Sequence, residues 1–394
     1  MLQRALHDIT LSNYMKKLLL FVSFLVTFMA VQTGSAKAAT WKATTPEGYT
    51  PITWAGARGI STFMKAPEGN GHLDFLTVIY LPYNQIKFIA SSTPKTDWGL
   101  GKPPFNPTVA ASETTTEVQT DFVEVTSTPE IAASSPATST AEIHDWAFAK
   151  LQVERAKAAN KNAKFIWNVP FFNVEIPVTD LSMSLKSSDT SGTYVTSGSR
   201  PDSDIAQLRQ MLIINNAAGT STISSFDENL FINDGDQAVE GFDASITPKG
   251  SDSEVARLFI GVKPGGKELI IYCSKGASPS EAREALLAAG VPVENQLQAD
   301  GGGSATCAYN LTGQYFVEPG RTLPHLMGAF PIVSRGSVTE KGLNVRNAPN
   351  TKGKVLKKLN YKEPVIVYES KNGWLRISEN NEWVFAKYIK QITN

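Results

Sequence analysis

Asp300-Gly301-Gly302-Gly303-Ser304 is the segment of this chain whose residue types and spacing point most directly to chemistry. Three consecutive glycines strip the side chains from one stretch of backbone, so a ligand can approach the peptide N–H groups directly. A carboxylate stands before that stretch and a hydroxyl after it. Such an arrangement suits a strand end that holds a sugar, a phosphate or both. Taken alone it reads equally well as a flexible turn, so the surrounding elements have to decide.

Those elements are read as follows. Arg257–Val262 is apolar enough for a buried strand, and Gly265-Gly266 turns it back into Glu268–Cys273. Ser278-Pro279-Ser280-Glu281 then carries the signals of a helix start: a capping serine, proline at the first helical position and a glutamate that completes a capping box. Gly290 closes that helix. Gln296–Ala299 leads into the glycines, and a further strand runs through Tyr309. The pattern predicts an α+β fold class with a mixed sheet and the glycine turn at a strand end. Upstream, Thr53 to Ala90 reads as strands, and Phe165–Phe172 as a strand running into a turn. A helix is expected from about Ala141 to Asn160, and residues 186–225 read as Ser/Thr-rich loops around one strand, Met211–Ile214. From about residue 100 to 141 the composition shifts to Thr, Ser, Pro, Ala and Glu, with no basic residue between Lys102 and Lys150. That stretch is expected to be a disordered acidic insertion, because it has too little apolar surface to offset its ordering entropy.

Compartment and charge narrow the options. Lys16-Lys17, the apolar run Leu18–Val31 and Ala36-Lys37-Ala38 follow the three-part plan of a secretory signal over residues 1–39, with Met15 as an alternative start. A retained anchor is the competing reading, although the run is shorter than the ~20 residues a spanning helix needs. The expected location is therefore secreted or extracytoplasmic and associated with the cell envelope, with a membrane involved only through the signal during export. Lys and Arg total 37, as do Asp and Glu, which gives no reason to expect nucleic acid as a partner. The four histidines and two cysteines form no metal-binding motif; no cofactor is named and a role for a divalent cation stays open. Cys273 ends one apolar run and Cys307 lies just past the glycines. An oxidising compartment permits a disulfide between them if their strands are neighbours; two separate buried thiols are the other reading.

The C-terminal segment, 336–394, is a unit of its own. Short strands separated by turn signals predict a small all-β barrel. From Val338 onward it holds 11 basic and 5 acidic residues, a net 11 − 5 = +6, which suits either an anionic surface or solubility alone. Leu343-Asn344-Val345-Arg346-Asn347-Ala348-Pro349, Asn372-Gly373-Trp374 and Trp383-Val384 resemble the bacterial SH3 (SH3b) domain. The resemblance implies a bacterial cell-wall targeting module on a secreted protein.

Residues 50–334 resemble the phosphodiester glycosidase domain family, which includes the enzyme that uncovers mannose 6-phosphate. Four segments carry the likeness in order: Phe165–Phe172 with Asn168, Ala256–Val262 with Arg257, Lys267–Gly290, and Asp300–Ser304. The resemblance implies hydrolysis of a sugar-1-phosphodiester, with a sugar-phosphate or cell-wall glycopolymer as partner. It implies catalytic roles for Asp300, Arg257 and Asn168, and substrate binding at Gly301, Gly302, Gly303 and Ser304. Chemically, Arg257 can hold phosphate oxygens bidentately, and the N–H groups of the glycine run can form an anion nest. Asp300 is placed to contact the sugar or a nucleophilic water, Asn168 to orient a hydroxyl, and Ser304 to donate to phosphate. Plainer roles exist: Asp300 as a turn cap, Arg257 in a structural ion pair, Asn168 satisfying backbone. The chain also departs from the family, carrying Cys273-Ser274-Lys275-Gly276 where many members have Asp-Gly-Arg. The alternative function is therefore a non-catalytic, glycan-binding envelope protein.

Overall fold

Long runs such as Asp74–Tyr80 and Val255–Val262 are rich in β-branched and aromatic residues and buried along most of their length, which suits strands covered on both faces. A computed structural model of the protein describes residues 41–53, 56–66, 72–90, 153–154, 156–168, 185–189, 192–196, 209–227, 235–245, 254–310, 314–320, 323 and 325–392. The expected secretory signal and acidic insertion lie outside these residues. So does most of the helix expected over 141–160, of which 153–154 and 156–159 are described and helical.

The larger sheet has eleven strands. Its main path runs Thr50–Pro51, Ile60–Lys65, Asp74–Tyr80, Glu268–Ala277, Val255–Val262, Gln296–Gln298, Gln237–Asp243, Leu185–Asp189 and Gly192–Thr196. Arg209–Asn215 also pairs with Gln237–Asp243, and Thr220–Ser225 pairs with it in turn. The second sheet orders Gln314–Val317, Cys307–Tyr309, Phe165–Trp167, His325–Pro331 and Asn84–Ala90. Every pairing in both sheets is antiparallel. Leu258, Ile260, Leu269, Ile271 and Cys273 of the first sheet share one buried cluster with Phe165, Trp167, Cys307 and Met327 of the second. The helix Pro279–Ala288 covers the other face of the first sheet, capped by Ser278 with Glu281 completing the capping box. Gly261 lets it come close, since a Cβ there would lie 2.9 Å from Val291 and 3.1 Å from Leu286.

Asn84–Ala90 is an edge strand whose outward backbone groups find side-chain partners. Ile86 N–H donates to Asn216 Oδ1 (2.9 Å), Asn216 Nδ2 donates to the Ile86 carbonyl (2.7 Å), and Phe88 N–H donates to Gln237 Oε1 (3.3 Å). Side-chain amides thus stand in for a further strand and blunt the edge.

Two expectations about fold class are corrected. The α+β class does not hold: the described chain is predominantly β, in several antiparallel sheets, with little helix. The 186–225 region holds four strands where one was expected. Thr220–Ser225 shows why, since it is partly exposed and built from Ser and Thr, so it carries no apolar run to betray a strand. The C-terminal barrel is also corrected. Ser334–Val338, Pro364–Val367 and Ile389–Ile392 form a three-stranded sheet. Val355–Leu359, Leu343–Arg346, Trp383–Phe385, Trp374–Arg376 and Glu369–Lys371 form a five-stranded one. The two share a core that includes Val338, Val345, Val367, Leu375 and Val384 but do not close into a barrel. Tyr368 stands at one of the four places where the chain crosses between these sheets; its N–H bonds the Arg376 carbonyl while its hydroxyl donates to Gln85 Oε1 (2.6 Å).

Candidate functional site

Strand pairing places polar residues level with one another across the large sheet. Lys65 faces Asp74, Asp74 faces Ser274 and Ser274 faces Arg257. Phe259 faces Gln298 in the next pairing, so two residues further along both strands Arg257 comes level with Asp300. Directly opposed residues in a sheet share a face, and neighbouring strands lie about 4.8 Å apart. The result is one row of alternating sign, Lys65, Asp74, Ser274, Arg257, Asp300, on the face turned away from Leu258 and Cys273.

The glycine turn closes that row. Gly301 packs against the Arg257 strand so tightly that a Cβ there would lie 2.8 Å from the Ala256 carbonyl oxygen, and Gly302 adopts a left-handed φ of +59°. Both positions therefore need glycine, and the run is a shaped turn. Ser304 N–H bonds the Gly301 carbonyl within it (3.2 Å), which leaves Gly301, Gly302 and Gly303 to supply the remaining amides of the turn. Ser304 is 1% exposed and its hydroxyl has no hydrogen-bond partner among the described residues.

Asn168 braces the turn from the second sheet. Its Nδ2 donates to the Asp300 carbonyl (3.1 Å) and its Oδ1 accepts from Thr306 N–H (2.8 Å), so one side chain holds both ends. Asn168→Ala would strand the buried Thr306 N–H and the half-buried Asp300 carbonyl and should lower stability by about 2 kcal/mol in urea unfolding. A loss within error of zero would mean that the brace is dispensable. Arg257 is buried and its Nε donates to the Ala277 carbonyl (3.0 Å); burial lowers its pKa, opposed by the nearby Tyr272.

Asp74 is a carboxylate that sequence reasoning missed. Tyr272 Oη donates to Asp74 Oδ1 at 2.9 Å. Burial pushes the Asp74 carboxyl up, the hydrogen bonds from Ser274 and Tyr272 partly oppose this, and Glu281 adds to the rise. Burial also pushes the Tyr272 hydroxyl up, with Asp74 adding to the shift. The available signal was an acid at the mouth of the buried run Phe75–Ile79. Cys273 and Cys307 form a disulfide, with their Cα atoms 6.7 Å apart. It ties the residue beside Ser274 in one sheet to the residue beside Thr306 in the other. Among the described residues no group of three or more His, Cys, Asp or Glu side chains is placed to hold a metal ion.

The three segments carrying Asn168, Arg257 and Asp300–Ser304 therefore meet at one turn. Asn168 reaches the backbone of Asp300, and Arg257 lies one strand away from it.

Comparison with known proteins adds the following. A hypothetical protein from Synechocystis aligns over 72% of this chain and 64% of its own length, at 13% identity and a TM-score of 0.34. The catalytic domain of zebrafish N-acetylglucosamine-1-phosphodiester alpha-N-acetylglucosaminidase, auto-inhibited by its pro-peptide, aligns over 73% of this chain and 87% of its own, at 13% identity and a TM-score of 0.33. Likeness at this level establishes neither a shared fold nor a shared activity. No curated protein matches the sequence. Residues 341–390 match the bacterial SH3 domain family, and the presence of that module supports a protein targeted to the cell envelope.

Proposed function

We propose that this chain is a secreted hydrolase that cleaves a sugar-1-phosphodiester in envelope or extracellular glycopolymers, held near its substrate by the C-terminal SH3 module. The observation that carries the reading is the buried, unpartnered Ser304 hydroxyl at the end of a glycine turn where the Asn168 and Arg257 segments meet. A buried polar group without a partner costs about 1–3 kcal/mol, and a ligand oxygen would satisfy it.

In this reading a water attacks the anomeric carbon and the C–O bond to phosphate breaks, with its electron pair leaving on the phosphomonoester. Arg257, the amides of Gly301–Gly303 and Ser304 stabilise that anion. Asp300 takes the proton of the attacking water or holds the sugar, and Asn168 keeps the turn in shape. A phosphodiester is already a fair leaving group, so proton donation to it matters less than for an ordinary glycoside. Asp300→Asn should slow release of sugar from N-acetylglucosamine-1-phosphodiester compounds by about 100-fold or more. A variant running at the wild-type rate would sink the assignment.

The second reading, a non-catalytic glycan-binding protein, draws on Arg257 and Asn168 both bonding to backbone groups. Retention on purified cell wall without turnover of any phosphodiester would favour it.

A further inference from the structure

The C-terminal sheets are clamped to the preceding sheets. Arg335, in the first strand of the C-terminal unit, donates to the carbonyls of Asn216 (2.7 Å), Pro82 (2.5 Å) and Asn84 (2.8 Å). Arg58 Nη1 donates to the Ile332 and Val333 carbonyls at 2.9 and 2.7 Å. Tyr368 is bonded to Gln85, and Lys87 pairs with Glu379 at 2.9 Å. Beside this clamp lies an open cleft of about 510 Å3, within the size range of ligand sites. Gln85, Lys87 and Gln237 line one wall; Tyr368, Glu379 and Asn380 line the other.

The charge of the cleft selects among ligands. Lys87 is paired with Glu379, and Lys357 with Glu382 at 3.0 Å; Glu363 also lines the cleft. Two lysines against three glutamates leave no positive field inside, even though the unit as a whole is basic. A polyanion gains nothing there, whereas a chain of hydroxyl and amide groups meets paired charges, the exposed Asn380 amide and the half-buried Tyr368 ring. We propose that this cleft is a binding site for a segment of uncharged, hydroxyl- and amide-rich glycan. The proposal rests on the envelope-directed part of the reading above and is independent of hydrolysis at the glycine turn.

The test titrates the full-length protein with soluble N-acetylglucosamine oligomers, using polyglycerol phosphate as the anionic probe. Asn380→Trp and Ala217→Trp fill the cleft from its two sides. The expected result is binding of the neutral oligomer, weakened about tenfold or more by each variant at an unchanged melting temperature. Oligomer binding is read whether or not the protein turns over a phosphodiester, which separates this claim from the hydrolytic one. Absence of oligomer binding would overturn the proposal, as would two folded tryptophan variants that bind normally, or displacement of the oligomer by the polyanion. If one variant fails to fold, the other, on the opposite wall, decides.

Discussion

Arg335→Ala should destabilise the protein by about 3–5 kcal/mol, since it strips three backbone carbonyls of a charged donor, at about 1–3 kcal/mol for each one left unsatisfied, and leaves a cavity. Arg335 is 3% exposed, and its guanidinium serves three backbone carbonyls contributed by two separate segments of the chain. Truncation would leave those carbonyls buried without donors and open a void beside Gly219, where a Cβ would already come within 3.0 Å of the guanidinium. Arg335→Lys keeps the charge but not the planar fork, so it should recover only part of the loss. Burial lowers the Arg335 pKa to about 10, with Tyr368 acting in the opposite direction. A depressed value means that the folded state holds this proton less tightly than the unfolded chain. The cost of burying the charge is therefore constant below about pH 9 and is relieved only as pH rises through about 10 and beyond. Urea unfolding at pH 5 and pH 8 should accordingly give the same difference between wild type and Arg335→Ala. A difference below 1 kcal/mol at both would mean that the clamp does not hold the two sets of sheets together.

Removing the Cys273–Cys307 disulfide should cost about 3–4 kcal/mol, from the loop-closure entropy of a 34-residue separation. The bond also acts at a sensitive place. Cys273 faces Leu258 and Phe75 in one sheet, and Cys307 faces Trp167 in the other. Both cysteines are at most 1% exposed, so reductant reaches them only after the sheets open. The Cys273→Ala/Cys307→Ala protein should show a lower urea midpoint and a steeper dependence on denaturant, because its unfolded chain is no longer tethered. Its glycine turn should also loosen, since Thr306, the residue held by Asn168, adjoins Cys307. An unchanged midpoint would contradict this account.

Some of this architecture was legible before any coordinates. The helix Pro279–Ala288 is written in local chemistry, because Ser278, Pro279 and Glu281 act on backbone groups within one turn of themselves. The apolar strands on either side of Gly265-Gly266 are equally plain. The Ser- and Thr-rich strands were not, because their pairing partners sit far away in sequence and they lack an apolar stripe of their own. Barrel closure failed for a related reason. Strand spacing along the chain says nothing about whether the final edges meet, and here the strands divide between two sheets.

By itself the sequence determined which residues were candidates: a carboxylate and a serine flanking three glycines, with Arg257 and Asn168 in separate segments, and a C-terminal module matching the bacterial SH3 family. Only the tertiary structure decided what those residues touch. Register across five strands brings Lys65, Asp74, Ser274, Arg257 and Asp300 into one row, and register is a long-range property that a one-residue slip would reverse. Asn168 bonds the Asp300 backbone because two sheets pack face to face, an arrangement set by the burial of their shared core and not by anything local to either residue.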